Sequence, residues 1–191
     1  MKQVISMVGD RDVERESPKW ELVTGISRAL VDHGYRVLTG GVGSFSRVVF
    51  EGAKMSLQYV EGCVISIVPG FDPSVAYDSS DIQIATGLDE HRNVITANSD
   101  AVIAIGGGAG TLSEIAFAWS LKRLIICVKV DGWSRELAGR RIDPRVRYPD
   151  IEEDQCFPAD TESDVISLLL KYLHLYNRRH HGIPGDRYPN K

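Results

Sequence analysis

The stretch at residues 100–119 constrains the fold of this chain more than any other. It joins a short apolar strand, the glycine-rich loop at residues 106–111 and a helix with apolar residues at helical spacing. Glycines between a strand and a helix let the backbone turn tightly with its N–H groups facing inward, and the helix start adds unpaired N–H groups and partial positive charge. The stretch therefore predicts an anion site for a phosphorylated ligand, with a nucleotide as the first candidate.

Strand-like and helical segments alternate along the whole chain. The predicted strands cover residues 4–7, 35–38, 63–68, 82–86, 101–105 and 124–130, and the predicted helices cover 18–34, 46–57, 89–98, 112–121 and 162–176. Such alternation requires parallel pairing with right-handed crossovers. We predict a single α/β domain over residues 1–176, a doubly wound Rossmann-like parallel sheet with helices on both faces. Residues 131–154 read as an irregular insertion or lid, and residues 177–191 as a C-terminal tail.

A second glycine-rich loop, Thr39-Gly40-Gly41-Val42-Gly43-Ser44, also follows a predicted strand. In doubly wound sheets, ligands bind beyond the carboxyl ends of the strands at the switch point, so both loops are expected to border one crevice. The candidate ligand-binding residues are Gly40, Gly41, Gly43, Ser44, Arg92, Gly107, Gly108, Gly110 and Thr111. A tight turn without a ligand is the alternative for the glycines.

Charge and composition exclude several classes of protein. The formal net charge is −4, whereas proteins that bind duplex nucleic acid usually carry a basic stripe, so we expect no nucleic-acid partner. No segment reaches the roughly 18 apolar residues of a membrane span, and no signal-peptide pattern occurs, so we expect a cytoplasmic protein. The three cysteines fall singly, without CxxC spacing, and we expect no metal site.

The sequence GGGAGTLSE, which begins at Gly106, resembles the PGGxGTxxE signature of the LOG (Lonely Guy) family. That family lies in a wider group of Rossmann-like nucleotide-binding proteins, which includes the molybdenum cofactor carrier proteins. The similarity extends to TGGVGSFSRVVFEGA at residues 39–53, GLDEHRN at 87–93 and DGWSRELAGRRID at 131–143, and it covers residues 3–176. The last of these segments resembles the carrier-type branch.

The resemblance implies two alternative functions. One is a carrier or sensor that binds a nucleotide or a molybdopterin-type ligand without turnover; the other is a LOG-type phosphoribohydrolase that releases the base from a nucleoside 5′-monophosphate. Three departures favour the carrier: Gly106 replaces the signature's proline, Asn93 follows the arginine in place of a lysine, and Ser113 replaces the first of two acids. DNA-processing proteins share the fold group, but this chain lacks their positive charge.

Arg92 and Glu114 are the catalytic candidates if the chain is an enzyme. Glu114 would act on the ribose, where a carboxylate can stabilise an oxocarbenium-like transition state. The alternative for Glu114 is a capping box with Thr111, three residues earlier. The alternative for Arg92 is a salt bridge with Asp89, a plausible helix N-cap, or with Glu90; the arginine would otherwise bind phosphate.

The sequence also predicts self-association. The helices at residues 46–57 and 112–121 carry apolar residues on more than one face, among them Met55, Ile115, Phe117 and Trp119. A helix that is apolar all round is usually buried on both sides. We therefore expect a homodimer or tetramer, as the resemblance also implies.

Overall fold

Seven parallel strands form one sheet in the order β4-β3-β2-β1-β5-β6-β7. The computed structural model describes residues 2–180, so the final part of the predicted tail lies outside the described residues. The strands are β1 (Val4–Gly9), β2 (Arg36–Thr39), β3 (Val64–Val68), β4 (Ile82–Ala85), β5 (Ala101–Ile105), β6 (Leu124–Val128) and β7 (Cys156–Ala159). This is the predicted doubly wound Rossmann-like sheet, and the predicted fold class is confirmed.

Within residues 2–180, six α-helices cover the two faces of the sheet. They are α1 (Pro18–Asp32), α2 (Gly43–Lys54), α3 (Asn93–Ala97), α4 (Ala109–Ser120), α5 (Trp133–Leu137) and α6 (Glu162–Tyr172). The 3-10 segments are Pro73–Ala76, Asp89–Arg92 and Leu173–Leu175. No helix within residues 2–180 is both long and apolar enough to cross a membrane.

The strands bury alternate residues in two separate cores. On β5, Ile103 and Ile105 pack with α1, α2 and α6 residues, whereas Val102 and Ala104 pack with residues of α3 and α4. Side chains of a strand point alternately to the two faces, so strands covered on both sides read as unbroken apolar runs. The two cores hold the helices of the two faces in place.

The chain changes direction between β1 and β5. These strands pair in register from Ile5 with Ala101 to Gly9 with Ile105, so the two loops that follow them leave the sheet side by side. The first half of the chain builds outward from β1 to β4, and the second half builds outward from β5 to β7. This switch point is where an open α/β sheet forms a crevice.

Helix boundaries near the glycine-rich loops differ from the predicted ones. Helix α2 begins at Gly43 instead of residue 46, and α4 begins at Ala109 instead of residue 112. The loops themselves supply the first helical turns, because glycine accepts the backbone angles needed there. The predicted helix over 89–98 is a 3-10 turn followed by α3, and Asp89 is not its N-cap, since that position is Leu88 without a side-chain bond.

Two short elements were absent from the prediction. Strand β7 has four residues and contains Pro158, and α5 is little more than one turn. Both are too short to produce a periodic pattern, and proline is tolerated in β7 because this strand lies at the sheet edge.

The segment at residues 131–154 is fastened to the rest of the chain. Arg147 is buried, donates from Nε to Asp154 Oδ2 over 3.0 Å, and lies 3.6 Å above the Trp119 ring. Trp119 lies near the C-terminal end of α4, away from the glycine-rich loop at its start. At the other end of the segment, Ser134 contacts that loop directly.

Candidate functional site

A cleft of about 380 Å³ opens at the switch point between β1 and β5. Its floor is the end of β1, and its walls come from the two glycine-rich loops and the 3-10 turn before α3. Residues 131–154 contribute nothing to its lining. The lining residues are Met7, Val8, Gly9, Asp10, Arg11, Gly40, Val42, Phe45, Ser46, Pro69, Asp89, Glu90, Arg92, Asn93, Gly108, Gly110, Thr111 and Glu114.

Two side-chain acceptors, together with backbone bonds from the N–H groups of Trp133 and Ser134, hold the glycine-rich loop after β5 in one conformation. The Gly106 N–H donates to Ser134 Oγ over 2.7 Å, and the Gly107 N–H donates to Asp10 Oδ1 over 3.0 Å. Both glycines have positive φ angles, 70° and 92°, which side chains disfavour. Both N–H groups therefore already have partners within the chain and do not face the cleft as free donors. Gly107 contributes to the site through the shape of the loop.

The first turn of α4 borders the cleft with its N–H groups uncapped. Gly108 occupies the N-cap position without a side-chain hydrogen bond, and Gly108, Gly110 and Thr111 line the cleft. The first N–H groups of a helix have no partner inside the helix, and its dipole places partial positive charge there. A Cβ on Gly108 would meet nothing within 4 Å, so open space lies in front of this turn.

The capping box considered for Thr111 and Glu114 is absent. Thr111 lies inside the first turn of α4, and its hydroxyl donates to the Gly9 carbonyl oxygen over 2.9 Å. This bond ties α4 to the end of β1. Glu114 is therefore free of a capping role, and its side chain lies on the cleft wall.

In the second glycine-rich loop, one residue lines the cleft and others make contacts within the chain. Gly40 lines the cleft, and a Cβ there would come within 2.9 Å of Arg92 Nη1, so the glycine leaves room for the guanidinium. Gly41, Gly43 and Ser44 are not part of the cleft lining. Ser44 Oγ instead accepts from the Val13 N–H over 2.7 Å, which fastens the segment after β1 to α2.

Arg92 and Glu114 are brought together on the cleft wall. Both are buried, and Arg92 Nη1 lies 3.7 Å from Glu114 Oε1. The same Nη1 donates to Asn93 Oδ1 over 2.7 Å. Burial raises the pKa of Glu114 to about 8; Arg92 opposes this rise, and the nearby Glu90 adds to it. Glu114 is therefore largely a neutral acid at pH 7.

Two residues that depart from the LOG pattern contact each other. Asn93 Nδ2 donates to Ser113 Oγ over 2.8 Å and to Glu90 Oε2 over 3.1 Å. The site thus has a neutral hydrogen bond between α3 and α4 where the enzyme pattern has a lysine and an additional acid. The sequence analysis named Asn93, Ser113 and Glu90 singly but did not join them in a network, because a contact between α3 and α4 leaves no local pattern in the sequence.

Asp10, which directly follows β1, also shapes the glycine-rich loop. Besides accepting from Gly107, its carboxylate is paired with Lys19 of α1. Asp10 therefore joins the end of β1, the glycine-rich loop and α1 at one point. No group of three or more His, Cys, Asp or Glu side chains suited to a metal ion occurs among residues 2–180.

The fold and the cleft define a Rossmann-like protein with a cleft at its switch point. The chain belongs to the SLOG cluster4 family, whose family model matches residues 2–153. A protein of Archaeoglobus fulgidus known only as uncharacterized is 33% identical over 115 residues, which is 60% of this chain and 72% of that protein.

Solved structures with the same fold include two proteins named for the molybdenum cofactor. The molybdenum cofactor binding protein from Rippkaea orientalis is 30% identical, with 89% of this chain and 96% of that chain covered and a TM-score of 0.69. The molybdenum cofactor carrier protein from Chlamydomonas reinhardtii is 22% identical, with 91% and 99% covered and a TM-score of 0.69. At that lower identity the second likeness shows the fold alone.

The fold also occurs in a protein that binds single-stranded DNA. DNA processing protein A from Helicobacter pylori is 17% identical, with 88% of this chain and 80% of that chain covered and a TM-score of 0.61. This likeness shows the shared fold, and the expectation of no nucleic-acid partner stays a prediction.

The raised pKa of Glu114 predicts a pH-dependent stability. Between about pH 4.5 and pH 8 the folded protein keeps a proton on Glu114 that the unfolded chain releases, so the free energy of unfolding falls as the pH rises through this range. The loss is on the order of a few kcal/mol. Glu114→Gln should match the wild type at pH 5 and lose less stability by pH 9, as measured by urea unfolding.

The matched control is Glu152→Gln, which removes an exposed carboxylate elsewhere on the chain. Its stability should follow the wild-type pH profile. Parallel profiles for the wild type and Glu114→Gln would contradict a shifted Glu114.

Proposed function

We propose that the cleft binds the phosphate of a nucleotide or nucleotide-like cofactor and that the chain acts as a carrier or sensor. The observation that carries this proposal is the uncapped first turn of α4, which opens onto the cleft while the neighbouring Gly106 and Gly107 N–H groups are already bonded. An anion at this turn would accept from the N–H groups of residues 108–111 and lie in the field of the helix dipole.

A molybdopterin-type ligand is the cofactor class that the comparisons favour. The solved relatives of this fold include a molybdenum cofactor binding protein and a molybdenum cofactor carrier protein, and the first of these is 30% identical to this chain. Such a cofactor carries a phosphate, which suits the α4 turn. The three free buried cysteines are compatible with the reducing cytoplasm as the proposed compartment.

Binding without turnover is favoured by the geometry at the three departures from the LOG pattern. Gly106 has a φ of 70°, an angle that a proline cannot adopt, so a loop with the signature's proline at this position would have a different conformation from this one. Asn93 and Ser113 replace charged groups with a neutral hydrogen bond. The wall of the cleft is thus less charged than the LOG signature implies.

Gly108→Asp tests the anion site directly. The new side chain fits, since a Cβ at Gly108 meets nothing within 4 Å, and it would occupy the N-cap position of α4. We expect the variant to fold with nearly unchanged stability, with a gain of about a few tenths of a kcal/mol at most, because aspartate is only slightly better than glycine as an N-cap. It should also lose binding, because the carboxylate takes the place of the phosphate and repels it. Calorimetry with nucleoside monophosphates and mass spectrometry of co-purified small molecules measure both effects.

Gly108→Ala is the matched control, since it adds a Cβ without a cap or a charge. It should retain most of the wild-type affinity. A folded Gly108→Asp variant with wild-type affinity would show that the loop is only a turn.

A LOG-type phosphoribohydrolase is the second candidate, and the placement of Glu114 favours it. This carboxyl group lies on the cleft wall, is paired with Arg92, and has a pKa of about 8, which suits proton transfer near neutral pH. An enzyme of this type would use Glu114 at the ribose and Arg92 at the phosphate or the departing base.

A base-release assay on AMP, GMP, CMP, UMP and IMP separates the two candidates. We expect the wild type to release no base while still binding a phosphorylated ligand. Robust base release by the wild type, lost in Glu114→Gln by orders of magnitude, would establish the enzyme instead.

We propose that the protein is a homodimer or a dimer of dimers. Most apolar residues of α2 and α4, including Ile115 and Trp119, are buried within the chain, but Phe117 is 39% exposed. Val94 and Ile95 of the adjacent helix α3 are also exposed. These three side chains on neighbouring helices supply an apolar surface for a second copy.

Light scattering at micromolar concentration should show a species larger than 21.1 kDa. Phe117→Glu should shift it toward the monomer, whereas Leu170→Glu, an exposed site on α6, should not. A wild type that is only monomeric would contradict the proposed association.

A further inference from the structure

Two acidic side chains stand at the mouth of the cleft, opposite the first turn of α4. Asp89 and Glu90 are exposed and line the cleft. Glu90 Oε2 lies 3.8 Å from the position that a Cβ would take on Gly110, and its hydrogen-bond donor is Asn93 Nδ2 at 3.1 Å. Within residues 2–180, no lysine, arginine or histidine nitrogen lies within 4.0 Å of either carboxylate.

This arrangement conflicts with a bare phosphate. A phosphate on the first turn of α4 would lie close to the Glu90 carboxylate, and two neighbouring anions repel each other even at an exposed position. The helix N-terminus carries only a partial positive charge, which does not neutralise both groups.

Arg92 indicates that an anionic group nevertheless belongs in the cleft. Its side chain is 9% exposed, and its Nε is buried without a hydrogen-bond partner among the described residues. Its Nη1 is already used by Asn93 and lies near Glu114. A buried guanidinium with an unused donor in a cleft lining is a site for ligand oxygens. No nitrogen of Arg92 lies within 4.0 Å of the Glu90 carboxylate, so among the described residues the two do not form an ion pair.

We propose that the phosphate-bearing ligand binds together with a divalent cation of the magnesium type, which bridges a phosphate oxygen and the Glu90 carboxylate. Magnesium usually keeps several waters and is held by one or two carboxylates plus phosphate oxygens. Asp89 supplies the second carboxylate, directly or through one of these waters. This inference rests on the proposed function, since the phosphate provides part of the coordination.

The proposal predicts that cation and ligand bind only as a pair. Residues 2–180 offer no group of three metal-binding side chains, so the protein alone holds the cation weakly. The bound cation would reduce the repulsion between Glu90 and the phosphate, so the cation would raise the affinity for the ligand. By thermodynamic linkage, the ligand would raise the affinity for the cation by the same factor.

The test is a calorimetric titration of GMP into the full chain, in magnesium chloride and in EDTA. We expect an affinity about tenfold higher with magnesium, within the usual range of coupling between two ligands. Glu90→Gln should lose most of this dependence, because its amide binds a cation poorly and no longer repels phosphate in EDTA. The control Glu152→Gln, at an exposed site elsewhere, should behave as the wild type.

Manganese, followed by its electron paramagnetic resonance signal, gives an independent readout. The signal of free Mn²⁺ should fall further with protein and GMP together than with either alone, and Glu90→Gln should abolish the extra decrease.

Equal GMP affinity with magnesium and EDTA would overturn the cation bridge and leave the anion site standing. Glu90→Gln binding GMP more tightly in both buffers would also overturn it, because Glu90 would then be purely repulsive. GMP binding in neither buffer would overturn the anion site itself.

Discussion

The hydrogen bonds of Asp10 and Ser134 to the glycine-rich loop determine the rest of the site. They fix Gly107 and Gly106 in left-handed conformations, and this directs the next residues into the first turn of α4 at the edge of the cleft. Asp10 belongs to the end of β1 and Ser134 to α5, so the loop is held from both sides of β5. The N–H groups in the first turn of α4 therefore already border the cleft. A ligand that bound them would not have to order this loop first.

Charge in the cleft is arranged around the buried pair of Arg92 and Glu114. The guanidinium donates to Asn93, and it occupies the space that a Cβ on residue 40 would need. Burial keeps Glu114 mostly protonated near neutral pH, which lowers the repulsion that a phosphorylated ligand would meet. The remaining acids lie at the mouth, where a cation can reach them. A charged guanidinium beside a mostly neutral carboxyl group is an environment that would favour an anionic ligand.

The fold was readable from the sequence because its strands are long apolar runs separated by helical patterns. The alternation predicted the doubly wound sheet, and the glycines after β2 and β5 placed the crevice at its switch point. Elements without periodicity were missed: α5 spans five residues, and β7 has four residues with a proline. The boundary errors at α2 and α4 share one cause, since the loop glycines were read as coil although they form the first helical turns.

Individual roles at the site were harder to predict than its position. Ser44 and Gly107 have the residue types of ligand contacts, yet Ser44 bonds to Val13 and Gly107 bonds to Asp10. Thr111 and Glu114 have the spacing of a capping box, but the earlier start of α4 places Thr111 inside the helix. These outcomes depend on contacts between residues distant in sequence, such as residues 10 and 107, which no local pattern records.

The most direct test of the account is a titration of the ¹⁵N-labelled protein with GMP and magnesium, followed by amide NMR shifts. The account predicts large shifts for the Gly108, Gly110 and Thr111 amides, which face the ligand, and much smaller shifts for the clamped amides of Gly106 and Gly107. Shifts confined to other parts of the chain, with the first turn of α4 unaffected at saturation, would contradict it.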